Sequence, residues 1–304
     1  MSRPLVIGTR GSRLALRQTE IALESLRSAN PAAEFSVRTI RTEGDRTAAS
    51  LAEIGGRGVF VIEIERALLA GEIDIAVHSL KDLPSDETKD VTIAAVLQRE
   101  DPRDALVSRE NTNLSELKPG ASVGTGSPRR AAQILALRPD LRIADIRGNV
   151  DTRIRKVDKG QYDAVVLAVA GLVRLDSLDH AAQVFDVDEM LPAPGQGAIA
   201  IQVRADDAEA ITIVKAADHS ESRTAVMAER AFERRLGGGC HAAIAALGEV
   251  AGSVLLLRGL VGDPTGHLLR AEIKGQPADA ESLGTTLAEQ LLALGAAALM
   301  EVAP

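Results

Sequence analysis

Cysteine is almost absent from this chain, which has a single one, Cys240, among 304 residues. A lone cysteine excludes an internal disulfide and any zinc site built from several cysteines. The chain also lacks an apolar run of about 18 residues, the length that a membrane-spanning helix needs, and no signal-type apolar segment follows Met1. These absences predict a cytoplasmic protein with no membrane partner and no metal.

Positive charge is in deficit as well, because the net charge is −8. An acidic chain is a poor partner for nucleic acid, so we expect none. Lysine is scarce in particular, since 28 of the 35 basic residues are arginine. Arginine grips carboxylates and phosphates with a bidentate fork, whereas lysine does not. A genome that prefers arginine codons or a carboxylate-rich ligand would each explain this bias.

Strand and helix patterns alternate through the first two thirds of the chain, as in α/β proteins. Apolar runs predict strands at 5–8, 35–40, 73–77, 91–97, 141–146 and 163–168, with a further strand at 198–203 that returns to the first sheet. We therefore expect two βα lobes joined by crossover strands, forming a hinged clamp around a cleft. Residues 1–97 with 198–216 make the first lobe, 98–197 the second, and 217–304 a C-terminal domain.

The C-terminal segment has a different pattern. It begins with a helix whose inward face is Ala225, Ala228, Phe232 and Leu236, which Gly237 ends before Gly238-Gly239-Cys240. Three strands follow, at 242–248, 254–261 and 267–274, and then a helix over 279–301 with inward Leu283, Leu287, Leu291 and Leu294. This order predicts an α+β domain with a three-stranded antiparallel sheet. Cys240 is either a small buried residue in a turn or a thiol beside which glycines leave room for a bulky group.

Several arginines fall where an open α/β sheet binds ligands, at or just past the ends of strands. They are Arg10, Arg147, Arg153 and Arg174. Arg129 and Arg130 fall in the first turn of a helix that Ser127 caps and Pro128 begins, a poor place for cations unless an anion is bound there.

Polar residues also follow the strand at 73–77. Ser79, Lys81 and Asp82 lie between that strand and Pro84. They form either an ordinary surface turn or part of a site, and the position at the sheet edge favours a site.

These residues belong to motifs that resemble the porphobilinogen deaminase family from one end of the chain to the other. The motifs are Thr9-Arg10 with Ser12, Gly55-Gly-Arg-Gly-Val-Phe60, Val77-His-Ser-Leu-Lys-Asp-Leu-Pro84, Arg99-Glu-Asp-Pro-Arg-Asp104, Val123-Gly-Thr125 with Ser127 and Arg129-Arg130, Arg147-Gly-Asn149, Gly195-Gln-Gly-Ala198, and Glu229-Arg230 with Gly238-Gly-Cys240. So many separate motifs in the right order are specific to that family. The fold that the resemblance implies is a pair of periplasmic-binding-protein-like lobes with a C-terminal α+β domain.

The resemblance also implies a reaction: four porphobilinogen molecules are condensed head to tail, with release of ammonia, to give hydroxymethylbilane for tetrapyrrole biosynthesis. It implies a dipyrromethane cofactor joined to Cys240 through a thioether, with Asp82 as the catalytic carboxylate. The residues that it assigns to cofactor binding are Ser79, Lys81, Asp82, Thr125, Ser127, Arg129, Arg130, Arg147 and Gly171. Those that it assigns to substrate binding are Arg10, Ser12, Arg57, Phe60, Arg153, Arg174 and Gln196. We expect a monomer with one small-molecule substrate.

Two other functions remain open at this stage. A two-lobed anion receptor would share the clamp, since a fold does not fix a function. It would have no use for a Gly-Gly-Cys loop and a cleft aspartate. A redox sensor built on Cys240 would leave the six arginines unexplained.

Overall fold

The computed structural model describes residues 4–40, 61–86, 88–237 and 243–301. Within them the strands are β1 (Leu5–Arg10), β2 (Phe35–Ile40), β3 (Ile75–Ser79), β4 (Val91–Val96), β5 (Asp104–Ser108), β6 (Ser122–Gly124), β7 (Arg142–Ala144), β8 (Ala164–Ala168), β9 (Gln183–Val184), β10 (Ile199–Arg204), β11 (Ala243–Ala251), β12 (Val254–Gly262) and β13 (Leu268–Gly275). The helices are α1 (Arg13–Ala29), α2 (Ile62–Leu69), α3 (Pro128–Leu137), α4 (Val150–Asp158), α5 (Val169–Arg174), α6 (Ala208–Lys215), α7 (Ser220–Leu236), α8 (Ala280–Ala293) and α9 (Ala296–Met300).

The chain divides into two compact units, which we describe separately. The first is Met1–Glu100 with Ala198–Thr224, and the second is Asp101–Gly197 with Ala225–Pro304. The division into three domains that the sequence suggests stays a prediction.

The first unit is built on a five-stranded sheet in the order β2-β1-β3-β10-β4. β1 pairs in parallel with β2 and β3, whereas β10 runs antiparallel to both of its neighbours. The strand predicted to return to the first sheet is therefore confirmed. β4 lies at the edge of this sheet, and Thr92 and Ile93 are partly exposed.

The second unit repeats this arrangement in the order β7-β6-β8-β5-β9. β6 pairs in parallel with β7 and β8, and β5 is the antiparallel strand between β8 and β9. Each sheet thus receives one strand that enters by a crossover, which is the periplasmic-binding-protein type of lobe that was expected. β5 was not among the strands predicted from the sequence, and it begins at Asp104.

The same unit contains the C-terminal α+β part, whose three-stranded antiparallel sheet has the order β11-β12-β13. α7 ends as predicted, with Gly237 in the left-handed region at φ +67°. Phe232 and Leu287 are fully buried in the core that α7 and α8 form with this sheet.

The prediction of one continuous C-terminal helix over 279–301 is wrong. α8 ends before Leu294, and Gly295, at φ +97°, separates it from α9. Leu287 and Leu291 face the core, as expected, but Leu294 is the C-cap residue and is 62% exposed. A left-handed glycine breaks the helical spacing, so the last leucine of the predicted stripe no longer lies over the sheet. Among the described residues, no helix is both long and apolar enough to cross a bilayer.

Candidate active site

In the first unit, Asp82 lies in a short turn that two buried leucines hold in place. β3 ends at Ser79, and a single 3₁₀ turn spans Leu80–Asp82. The Leu80 N–H donates to Ala198 O at 3.0 Å, and the Leu83 N–H donates to Leu80 O at 3.0 Å. Leu80 and Leu83 are almost fully buried, which leaves Lys81 and Asp82 half-buried at the rim of the sheet. The turn therefore presents a carboxylate from a fixed backbone.

The start of α1 lies at the same edge of the sheet. β1 ends at Arg10, and the Ser12 hydroxyl caps α1 by accepting the Ala15 N–H at 3.2 Å. Because β1 and β3 are adjacent and parallel, Arg10 and Ser79 come out at the same edge. Ser79 is tied to α1 through its hydroxyl, which lies 2.8 Å from Nε2 of the buried Gln18.

A buried polar group that the sequence analysis did not single out underlies this edge. His78 is only 6% exposed. Burial lowers its pKa to about 4, with the nearby Arg10 charge acting in the same direction and Gln202 acting against them. Gln202 in turn donates to Glu65 at 3.0 Å, and Glu65 accepts from Thr88 at 2.8 Å. His78 is therefore neutral at physiological pH.

In the second unit, α3 begins as predicted. Ser127 is its N-cap, with its hydroxyl 3.5 Å from the Arg130 N–H, and Pro128 is the first helical residue. Thr125 Oγ1 accepts the Ser127 N–H at 3.1 Å, which fixes the turn between β6 and α3. Ser127 and Pro128 act on backbone groups within one helical turn, so the neighbouring residues in the sequence were enough to predict this helix start.

The side chains of Arg129 and Arg130 are not directed at solvent but at a buried carboxylate, Asp104. Arg129 Nη1 donates to Asp104 Oδ2 at 2.7 Å. Arg130 donates to Oδ1 of the same residue through Nε at 3.1 Å and Nη2 at 2.7 Å. The sequence analysis inferred an anion at this helix start, and one such anion is Asp104 itself.

Asp104 is ionised despite complete burial. Burial alone would raise the pKa of its carboxyl, but the charges and hydrogen bonds of Arg129 and Arg130 outweigh burial and hold the pKa well below its usual range. One carboxylate faces two guanidinium groups at the positive end of a helix. The backbone N–H groups and the dipole at this helix end also favour an anion.

Arg153 is a third cation close to this helix start, within reach of the charge of Arg130. It donates through Nε to Gly148 O at 2.7 Å, at the start of α4. Desolvation, and next the charge of Arg130, lower its pKa to about 10, so it stays protonated at neutral pH. Arg147, just before α4, pairs with Asp145 at 3.2 Å and is half-buried, as Arg153 is.

Arg174 and Gln196 are buried, and both bind backbone. Arg174 ends α5, which also contains the buried Gly171, and donates to Gly197 O at 2.6 Å. Gln196 is 0% exposed, and its amide donates to Pro102 O at 2.7 Å and Asp104 Oδ1 at 2.9 Å. Their assignment to substrate binding stays a prediction.

Three predicted site residues lie outside the described residues: Arg57, Phe60 and Cys240. The residues that the sequence analysis left without a role are Asp104, Gln18, His78 and Glu229. Asp104 had a signal in the sequence, because two arginines in a first helical turn require an anion and an acidic residue begins the apolar run 105–107. His78 and Glu229 lie within motifs that resemble the family, but their partners are distant in the chain, so the motifs gave neither of them a role. Gln18 had no signal.

The chain matches two family models. Porphobilinogen deaminase, dipyromethane cofactor binding domain, matches residues 5–212, and porphobilinogen deaminase, C-terminal domain, matches residues 223–293. The porphobilinogen deaminase of Roseiflexus sp. is 48% identical over 99% of both chains. That of Thermus thermophilus is 49% identical over 96% of this chain and 97% of its own. A solved structure, the VFT2 domain of Bordetella pertussis BvgS, is 18% identical over 70% of this chain and 85% of its own with a TM-score of 0.44, too distant to support an inference.

Proposed function

The chain belongs to the porphobilinogen deaminase family, whose enzymes condense four porphobilinogen molecules into hydroxymethylbilane with release of ammonia, and we propose that Asp82 carries the proton transfers of this reaction. Membership of an enzyme family decides against the anion receptor and the redox sensor. The observation that supports Asp82 is its place on an anchored turn at the ligand-binding edge of the first sheet.

The chemistry requires one group that exchanges protons and stabilises positive charge. Loss of ammonia from porphobilinogen leaves a cationic ring, and the carbon that forms the new bond must later lose a proton. The protonated carboxyl group can give its proton to the departing amine, and the carboxylate that this leaves can stabilise the cationic ring and accept the later proton. Because Leu80 and Leu83 fix the turn, the Asp82 carboxylate need not be ordered again in each of the four rounds.

Binding of the substrate requires cations, because every porphobilinogen brings two carboxylates. We assign this binding to Arg10 and Ser12 in the first unit and to Arg153, Arg174 and Gln196 in the second, with Arg57 and Phe60 from the part of the chain that is not described. A charge-assisted arginine–carboxylate hydrogen bond contributes about 1.5–3 kcal/mol. Arg153 supports the assignment most directly, since burial and next the charge of Arg130 lower its pKa, and an anion bound there would offset both effects.

The donor set of the second unit fits an anionic cofactor such as dipyrromethane, because the cations Arg129, Arg130 and Arg153 are grouped near the start of α3, where a helix end also favours an anion. We propose that the cofactor is joined to Cys240 through a thioether and held by Thr125, Ser127, Arg129, Arg130, Arg147 and Gly171, with Ser79, Lys81 and Asp82 from the first unit. When bound, the group supplies the pyrrole carbon to which the first substrate ring is joined. The residues of the chain bind and orient it and carry the protons.

Replacement of Asp82 by asparagine tests the catalytic role. Asn keeps the shape and loses the proton transfers, so turnover of porphobilinogen should fall by about 100-fold or more. Asp86→Asn is the matched control, because Asp86 follows in the same loop and is exposed. Near-normal turnover by Asp82→Asn would remove Asp82 from the reaction.

Intact-protein mass spectrometry tests the attachment site. The wild-type protein should carry an adduct of two linked pyrroles, and Cys240→Ser should be folded but carry none. An adduct of the same mass on Cys240→Ser would place the attachment elsewhere.

We also propose that the enzyme acts as a cytoplasmic monomer with no nucleic-acid or membrane partner. The net charge of −8 supports this for nucleic acid. Sedimentation of the purified protein at micromolar concentration checks the monomer, and a mass of twice 32.0 kDa would contradict it.

A further inference from the structure

Residues 191–197, the segment between β9 and β10, are buried although they form no helix or strand. Every residue of this segment except Ala193 is buried. A buried backbone without regular structure must find hydrogen-bond partners among side chains or neighbouring strands. The backbone of β11 supplies one partner, since the Ala246 N–H donates to Pro192 O at 3.1 Å. Side-chain partners come from two further directions.

The first direction is the arginine cluster. Arg129 Nη1 donates to Leu191 O at 2.9 Å, and Gln133 both donates to Leu191 O at 3.0 Å and accepts its N–H at 2.7 Å. Further along, Gln196 binds Asp104, and Arg174 binds Gly197 O. Segment 191–197 therefore makes hydrogen bonds with Asp104, Arg129 and Arg174 and fixes their positions relative to one another.

The second direction is α7, through the side chain of Glu229. Glu229 is 0% exposed, and its two carboxylate oxygens accept two backbone N–H groups from different parts of the unit. Oε2 accepts from Gly195 at 2.6 Å, and Oε1 accepts from Gly248 in β11 at 2.8 Å. Gly195 has φ +72°, a conformation that favours glycine. The carboxylate therefore joins α7, β11 and the buried segment at one point.

At Gly248 the backbones of β11 and α7 approach each other closely. A Cβ on Gly248 would lie 2.8 Å from Ala225 O and 3.0 Å from Ala225 Cα, so β11 packs directly against the backbone of α7. Two turns beyond Glu229, α7 ends at Leu236, four residues before Cys240 in the sequence. α7 has two buried carboxylates near the cysteine, Glu229 and Glu233, and Glu229 is the one that accepts the Gly195 and Gly248 N–H groups.

We propose that Glu229 is a positioning residue, which fixes the cysteine-bearing end of α7 to segment 191–197 and thereby to the Asp104–arginine cluster. This inference rests on the proposed attachment of the cofactor to Cys240. A cofactor that is tethered at one end and held by arginines at the other needs a constant spacing between tether and arginines. Only a carboxylate accepts both N–H groups, because an amide has one acceptor oxygen and would turn an NH₂ group toward the second N–H.

The test is the loading of protein that carries no cofactor, using the full chain produced in cells that lack porphobilinogen. Porphobilinogen is then added, and the adduct is followed by intact mass against time and concentration. In Glu229→Gln the maximal loading rate should fall at least about tenfold. One of the two N–H groups would lose its acceptor, and the end of α7 would then be held less firmly relative to the arginines. The half-saturating concentration of porphobilinogen should not change, because Glu229 does not touch substrate.

Glu221→Gln is the matched control. Glu221 lies in the first turn of the same helix and is exposed, so the same chemical change should leave loading at the wild-type rate. Amide hydrogen exchange gives an independent measurement, since the Gly195 or Gly248 N–H should exchange faster in Glu229→Gln and at the wild-type rate in Glu221→Gln.

A role in stability alone has a different signature. Partial unfolding would lower the fraction of molecules that load but not the rate of those that remain folded. Loading of Glu229→Gln at the wild-type maximal rate would therefore overturn the proposal. If Glu229→Gln does not fold, Glu229→Asp retains the charge but is shorter and should load slowly, and failure of both to fold would assign Glu229 to stability alone. A wild-type protein that gains no adduct would instead refute the attachment to Cys240.

Discussion

Replacing Asp104 by asparagine would remove the carboxylate that pairs with two buried guanidinium groups, Arg129 and Arg130. Asp104 accepts four hydrogen bonds: from Arg129 Nη1 at 2.7 Å, from Arg130 Nε at 3.1 Å and Nη2 at 2.7 Å, and from Gln196 Nε2 at 2.9 Å. Asparagine offers one acceptor oxygen and turns an NH₂ group toward a cation. Breaking a buried ion pair from one side costs about 3–5 kcal/mol, so the free energy of unfolding should fall by that amount.

Urea denaturation followed by circular dichroism measures this loss. The chain has no tryptophan, so intrinsic indole fluorescence cannot be used. Asp140→Asn is the matched control, because Asp140 also pairs with an arginine, Arg138, at 2.7 Å but on the exposed surface. Exposed pairs contribute little to stability, so the control should shift the midpoint only slightly.

Two further measurements sharpen the comparison. Adding Arg129→Met to Asp104→Asn should restore part of the lost stability, because it removes one uncompensated charge. The low pKa of Asp104 also gives the wild-type protein stability that is present above the unfolded pKa and is lost as the pH falls toward the folded value. If Asp104→Asn were as stable as Asp140→Asn, the view of Asp104 as the anchor of the arginine pair would be wrong.

Three other perturbations have defined outcomes. His78, with a pKa of about 4 against 6.5 unfolded, should cost up to about 3 kcal/mol of stability as the pH falls from 6.5 to 4, and NMR titration of its imidazole should give a midpoint near 4. Ser12→Ala should lower stability by about 1 kcal/mol in thermal melts by removing the cap of α1, and an unchanged midpoint would contradict the capping role. Gly284→Ala places a Cβ 2.2 Å from the Ala228 carbonyl oxygen and should cost about 1–3 kcal/mol, whereas the exposed Thr286→Ala should be close to neutral in the same melts.

Features that depend on neighbours in the sequence were predicted correctly. Ser127 caps α3 and Pro128 starts it, because both effects act within one helical turn. The inward face of α7 and its end at Gly237 follow from helical spacing and from the conformational freedom of glycine. The return of β10 to the first sheet was also foreseen, because an apolar run after a proline- and glycine-rich segment had to find a buried place.

Where a glycine interrupts a helical pattern, the prediction from the sequence was wrong. A stripe of four leucines suggested one long C-terminal helix, yet Gly295 breaks it and Leu294 faces solvent. Spacing shows which residues can share a helical face, but it cannot show where a glycine will adopt φ > 0 to end the helix.

The sequence by itself determined the family, the three-sheet plan and the start of α3, which places Arg129 and Arg130 in its first turn. Of the arginines expected at strand ends, Arg174 instead ends α5 and Arg153 lies within α4. Only the tertiary structure decided what those arginines contact, because Asp104 meets Arg130 across 26 residues and Gln196 meets Asp104 across 92. The same holds for Glu229, whose two N–H donors lie 34 residues before it and 19 after it. Whether a charged side chain is buried and paired depends on residues that are distant in the sequence and that the pairing of strands brings together.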